Sequence, residues 1–236
     1  MGKALYGFVK IIKPLIRPFY PVTVFGPRKF EDKKTIFVMN HNSGWDPIVW
    51  SAYCKNRIHF MYKAEFRKSK FLRSVFDALE FVPVSRGDVD LAAIKKSLEI
   101  LNGNQILGIF PEGTRSPDVE NFKPFHTGTA LLALKTKAPI RLFYIWDKLK
   151  AFHRNYIVVG EEYTLEKYYD RKITKDLLEE VSRDLCDKLV ELKTSADKYI
   201  ALKGKKRRKL TKKEQIKLDN FRKTLAENNN NGDSKN

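Results

Sequence analysis

Residues 35–47 read Thr35-Ile-Phe-Val-Met39-Asn-His41-Asn-Ser-Gly-Trp-Asp46-Pro47. A β-branched apolar run gives way at Asn40 to a polar stretch holding a histidine, and then to Asp-Pro. The apolar run predicts a buried strand over 35–39. Asp46-Pro47 predicts a helix start, with Asp46 as N-cap and proline at the first helical position. Strand, polar loop and helix in that order form the opening of a βαβ unit. In parallel sheets ligands lie beyond the carboxyl ends of the strands, which is where this reading puts His41.

The same rhythm continues outward. Strands are expected at 58–62, 81–84, 105–110, 140–145 and 156–159, and helices at 46–54, 69–79 and 126–136. Leu91, Ile94, Leu98 and Leu101 recur at helical spacing over 88–101, and Asn102-Gly103 closes that helix. Leu177, Leu178, Val181, Leu185, Leu189 and Leu192 mark one face of a long amphipathic helix over 174–200. The expected fold is α/β, with a mixed, mainly parallel central sheet flanked by helices.

The 236 residues carry 46 basic and 28 acidic side chains, a net charge of +18, and 42% are hydrophobic. That supports a substantial core and points to an anionic partner. Two cysteines, Cys54 and Cys186, exclude a disulfide framework. No run of about 18 uncharged apolar residues occurs, so no transmembrane helix is expected. Lys10, Lys13 and Arg17 interrupt the first apolar run, which therefore does not read as a signal peptide.

Three segments follow from composition. Residues 1–21 read as an amphipathic membrane-association helix, with Lys3, Lys10, Lys13 and Arg17 on one arc, an apolar face opposite and a kink at Pro14. Residues 22–202 hold the α/β domain. Residues 203–236 form a basic, partly helical and partly disordered tail, with eight cations between Lys203 and Lys213 and a capping-box signal at Thr211–Glu214.

His41 with Asp46 five positions on is the smallest unit that makes a general base: the carboxylate fixes the tautomer and stabilises the imidazolium. Ser43 lies too near in sequence to be placed in line as a nucleophile, so the base is expected to act on a substrate hydroxyl. Phe110-Pro-Glu-Gly-Thr-Arg-Ser116 follows a strand and offers Glu112, Gly113, Thr114 and Arg115, the arginine suited to a phosphate. His59, His126 and His153 lack ligand spacing, and no phosphate-cradling loop or dinucleotide fingerprint occurs. Neither metal nor other cofactor is expected.

In these motifs the sequence resembles the glycerolipid acyltransferase family, which converts 1-acylglycerol-3-phosphate to phosphatidic acid. Asn40–Asp46 matches its NHxSxxD block and Phe110–Ser116 its FPEGTRS block. Lys63-Ala-Glu-Phe66 and Phe125-His-Thr-Gly128 are similar to two further elements, so the likeness spans about residues 22–160. The resemblance implies a donor that is acyl-CoA or acyl-carrier protein, a lysophospholipid acceptor, and no covalent acyl-enzyme. His41 would be the base and Asp46 its orienter. Glu112, Gly113, Thr114 and Arg115 would shape the acceptor pocket, with Lys63 and Arg86 as further phosphate contacts. Such an enzyme would sit peripherally or monotopically on the cytoplasmic face of the cell membrane, against an anionic lipid surface.

Two departures from the family pattern, Glu80 for a glycine and Arg141 in the fourth block, bear on head group and chain length. The alternatives are another lysophospholipid acceptor or, from a different class, nucleic-acid binding through the polybasic tail. That tail lacks the aromatic interleaving of single-strand binders, and nucleic acid is not the expected partner.

Overall fold

The structure is a computed structural model describing residues 14–85, 90–116 and 122–204, with side chains through 198. Most of the expected N-terminal helix, Arg86 and the tail from 205 onward lie outside the described residues. Seven strands form one sheet: β1 (Val22–Phe25), β2 (Thr35–Met39), β3 (Ile58–Lys63), β4 (Val82–Val84), β5 (Ile106–Ile109), β6 (Ile140–Trp146) and β7 (Asn155–Tyr163). Their order is β1-β7-β6-β2-β5-β3-β4. Every neighbouring pair is parallel except β6 with β7. The exception has a local cause: no helix separates β6 from β7, so the chain turns straight back. The expected mixed, mainly parallel α/β sheet is the observed one.

Helices α1 (Asp46–Tyr53), α2 (Lys70–Ala78), α3 (Leu91–Asn102), α4 (Gly128–Thr136) and α5 (Lys175–Gly204) complete the layers. Alternation along β2 divides the core. Ile36 and Val38 face a cluster built from α3, α4 and α5, including Leu101, Leu132, Val181, Leu185 and Leu189. Phe37 and Met39 face the other cluster, with Val49 and Trp50 of α1 and Phe76 of α2. Burial on both faces is what a central, mostly parallel sheet requires of its apolar runs. Among the described residues no helix is long and apolar enough to cross a membrane.

Three sequence expectations are corrected. First, β1 was not foreseen. Its four residues carry a weak signal alone and become a strand by pairing with β7, Val22 opposite Asn155. Second, Asp46 does not cap α1. The N-cap is Trp45, which offers no side-chain acceptor, while Asp46 turns back toward the loop before it. Ser69 and Asp90 cap α2 and α3 in the ordinary way, accepting from Leu72 N and Ala93 N. Third, α4 begins at Gly128 rather than at His126.

Residues 14–19 are helical and pack on α1. The Arg17 guanidinium donates to the Ala52 carbonyl through Nε and Nη2, at 3.1 and 2.9 Å, and lies over the Tyr53 ring. Tyr53 Oη donates to the Tyr20 carbonyl at 2.9 Å and accepts from Val22 N at 3.0 Å. Arg17 is thus a docking residue, not a member of a free basic face.

Candidate active site

Four neighbouring strands, β2, β5, β3 and β4, end on the same side of the sheet. The segments that follow them begin at Asn40, Phe110, Ala64 and Ser85, so the sequence motifs converge there by topology. The loop after β2 is anchored first. Asn40 continues the strand with its side chain, accepting from Ile145 N at 2.7 Å and donating to Ile145 O at 2.9 Å. Asn42 Nδ2 donates to the carbonyls of Ile145 and Asp147. Two buried amides therefore tie the histidine loop to β6. Sequence reasoning noticed them only as polar context.

Asp46 is fully buried, and one oxygen does most of its work. Its Oδ2 accepts from Asn42 N at 2.7 Å, from Ser43 N at 2.7 Å and from His41 Nδ1 at 2.8 Å. Because the carboxylate can only accept, Nδ1 must carry the proton, which leaves Nε2 as the basic nitrogen of the ring. Ser43 Oγ accepts from Trp45 N at 3.3 Å and serves the turn. Below the imidazole lies Phe110, ring centroids 4.2 Å apart at 26°. Phe110 in turn stacks on Phe60 at 5.5 Å.

The 110–116 loop closes on the histidine loop at two points. Ser116 N donates to the His41 carbonyl at 2.8 Å, and His41 N donates to Glu112 Oε1 at 3.2 Å. The other Glu112 oxygen accepts from Lys123 N at 3.1 Å. This buried carboxylate therefore joins three loop segments. Burial pushes its carboxyl above the ordinary range, partly offset by those two donors. Gly113 adopts φ +62°, and an added Cβ there would stand 2.7 Å from the His126 ring. His126 thus packs where only glycine leaves room.

Arg115 is exposed, its Nη1 3.9 Å from where a Cβ on Gly44 would stand. Among the described residues it forms no ion pair. Lys123, missed in the sequence, donates through Nζ to Thr114 Oγ1 at 3.1 Å and puts a second cation on this rim. Its signal was legible, a cation in the stretch Phe122-Lys-Pro-Phe125 between the two motifs. Lys63 ends β3 and pairs with Glu65 at 2.8 Å, two strands away from β2. A cavity of about 640 Å³ opens beside edge strand β4, lined in part by His59, Arg67, Ser85, Asp90 and Lys96. Its charges are already engaged: Arg67 with Asp77, Lys96 with Glu99, and Asp90 with Ser85 N and Ala93 N.

The two departures lie elsewhere. Glu80 precedes β4 in a left-handed conformation, φ +52°, which explains why a glycine suits that place. Its side chain pairs with Arg57 at 2.9 Å, and its carbonyl lies 3.0 Å from His59 Nδ1. Arg141 stands opposite Phe37 in the β2–β6 register, donates to the Gly160 carbonyl and lies over Phe30. Glu80 lies before the start of β4 and Arg141 near the start of β6, away from the strand ends that carry His41. Neither Cys54 nor Cys186 forms a disulfide.

A buried carboxylate thus holds a histidine at a strand's carboxyl end, beside a cationic loop. A family model described as Acyltransferase matches residues 21–146, and the chain belongs to that family. Over 146 residues it is 29% identical to the 1-acyl-sn-glycerol-3-phosphate acyltransferase of Helicobacter pylori, covering 57% of this chain and 62% of that protein. Over 102 residues it is 32% identical to the enzyme of the same name from Bacillus subtilis, covering 42% and 49%. The matches thus span less than two thirds of those relatives' own length. The crystal structure of the 1-acyl-sn-glycerophosphate acyltransferase of Thermotoga maritima shares the fold. Its TM-score is 0.58 at 24% identity, covering 81% of this chain and 79% of that one.

Proposed function

We propose that this protein transfers a fatty acyl group from a thioester donor, acyl-CoA or acyl-carrier protein, to the free hydroxyl of 1-acylglycerol-3-phosphate, giving phosphatidic acid. The observation that carries this reading is the 2.8 Å contact from His41 Nδ1 to buried Asp46. It leaves Nε2 free to take the acceptor's hydroxyl proton. The alkoxide oxygen then bonds to the thioester carbonyl carbon and the C–S bond breaks. The imidazolium returns its proton to the departing thiolate. Asp46 stabilises the imidazolium while it lasts, and general-base assistance of this kind is worth roughly 10²–10⁴-fold.

Arg115, Lys123 and Thr114 offer the acceptor phosphate charge and hydrogen bonds at the rim. Glu112 and Gly113 act by holding that rim against His41. Lys63, at the end of β3, is a further cation for the same anion, and the family resemblance makes Arg86, outside the described residues, another. Residues 22–202 supply the chemistry. The residues before them and the basic tail after them hold the enzyme peripherally on an anionic membrane surface, on its cytoplasmic side.

The test is a purified-protein assay crossing lysophospholipid acceptors with acyl-CoA and acyl-carrier-protein donors, with product identified by mass. Phosphatidic acid should form, and His41→Ala and Asp46→Asn should each lower kcat about 10²-fold or more with circular dichroism unchanged. Full activity in His41→Ala would sink the mechanism. Arg115→Ala should raise KM for the acceptor more than it lowers kcat, because the phosphate is held in ground state and transition state alike.

A further inference from the structure

The loop between β6 and β7, residues 147–154, reads Asp-Lys-Leu-Lys-Ala-Phe-His-Arg, and its one outward aromatic is held with unusual care. Phe152 is 73% exposed and adopts φ +60°. An aromatic L-residue takes that left-handed conformation only where surrounding contacts impose it. The contacts are present. Phe152 N donates to the Phe19 carbonyl at 2.6 Å. Asn155 grips the loop from inside, accepting from Lys150 N and donating to the carbonyls of Lys150 and His153. Leu149 is buried beneath it. A strained, rigid loop thus keeps a phenyl ring in solvent.

That ring is not isolated. It meets Phe19 edge to face, centroids 5.4 Å apart, and Phe19 is 51% exposed. Leu15, one helical turn earlier, is 60% exposed, and Trp45, 48% exposed, lies against Tyr20 at 5.5 Å. Trp45 is also part of the His41–Asp46 loop, and Asn42 binds the first carbonyl of the 147–154 loop. One apolar corner therefore runs from the finger to the edge of the catalytic loop. Cations rim it: Lys148 and Arg154 have no acidic partner among the described residues, and Lys150 pairs only with Asp147. A second copy of the chain would bring the same positive rim against this one. An anionic lipid surface complements it.

We propose that this corner is a membrane-insertion surface in which the 147–154 loop and Trp45 extend the contact beyond the amphipathic start of the chain, to which Leu15 and Phe19 belong. Phe152 leads Phe19, Leu15 and Trp45 into the interfacial layer of an anionic phospholipid bilayer, while Lys148, Lys150 and Arg154 take lipid phosphates. The bilayer then lies beside the His41 loop, and an acceptor dissolved in it reaches the base without crossing water. This last consequence rests on the acyltransferase reading; the docking surface itself does not.

The experiment measures binding of the full-length protein to vesicles of phosphatidylcholine with phosphatidylglycerol, against phosphatidylcholine alone, without donor or acceptor. Phe152→Gly removes the ring and suits the φ, so its melting temperature should hold or rise while vesicle affinity falls about five- to tenfold. The double variant Lys148→Glu with Arg154→Glu should lose about tenfold or more, and only on the anionic vesicles. Both variants should keep parental activity on a short-chain acceptor dissolved as monomers. Unchanged vesicle binding in Phe152→Gly overturns the proposal. So does an equal loss of activity on the monomeric acceptor, or a change in sedimentation from dimer to monomer with vesicle binding intact. If the parental protein bound these vesicles but made no phosphatidic acid, the acyltransferase reading would fail and the docking surface would stand.

Discussion

Phe110 lies stacked on the His41 imidazole, ring centroids 4.2 Å apart, and it is the upper member of a column that reaches down into the sheet. Phe110 rests on Phe60 at 16°, and Phe60 crosses β5 where Gly108 has no side chain. A Cβ at Gly108 would stand 2.5 Å from the Phe60 ring and 2.9 Å from Ile58. The position of the candidate base is therefore set partly by the absence of a methyl group two residues before Phe110.

Gly108→Ala should accordingly act at a distance. Overpacking of this kind costs about 1–3 kcal/mol. The displaced Phe60 should tilt Phe110 and the imidazole, lowering kcat severalfold with little change in KM. Thermal melting and steady-state kinetics read the two effects separately, and an unchanged kcat in a destabilised variant would show that the column does not position His41.

Gly113→Ala faces both a left-handed backbone and the His126 ring. A loss of about 1–3 kcal/mol is expected. Only the steric share can be relieved by removing the ring. The double variant with His126→Ala should therefore be less destabilised than the sum of its parts, measured by denaturant titration. Strict additivity would contradict the contact.

His59 gives the fold a pH dependence. Burial, first, then Arg57 and Lys96 hold its pKa below the ordinary 6.5, against the Glu80 carbonyl, which raises it. In the unfolded chain the imidazole protonates as pH falls through that value, while in the folded chain it stays neutral. The unfolded state then binds more protons, so stability is full above about pH 6.5 and declines below it. His59→Gln should flatten that decline in a series of melts between neutral and mildly acid pH. A parental curve with no decline there would refute the assignment.

Glu80→Gly restores the residue that the left-handed backbone favours and removes the exposed ion pair with Arg57. The first effect gains about 1 kcal/mol and the second loses between about 0 and 1. Stability should change little. Acceptor preference, measured across head groups, should not change at all, because the residue sits away from His41.

Much of this architecture was legible in the chain. Thr35–Met39, Ile106–Ile109 and Ile140–Trp146 announce themselves as short apolar runs between turn residues, because a strand buried on both faces must be apolar throughout. Asn102-Gly103 and Ser69 mark helix ends through backbone chemistry that needs no distant partner. The pairing of His41 with Asp46 was also readable, since five residues leave the two side chains near each other in a turn. Asp46 was misread as a helix cap because both roles ask for a buried acceptor at a helix start. Only the geometry decides whether the carboxylate turns forward or back.

What the amino-acid order determined by itself was local: the period of each element, the turns, and the chemical kinds of side chain at the strand ends. The tertiary structure decided which of those side chains would meet. Val22–Phe25 became a strand only on β7, Glu112 a tether only because His41 N lies beside it, and Asn40 an anchor only against Ile145. Those partners are 71 residues apart for Glu112 and 105 for Asn40. Each was chosen by packing of the whole sheet, since a buried carboxylate or amide must find its hydrogen bonds wherever the fold brings a donor or acceptor within reach.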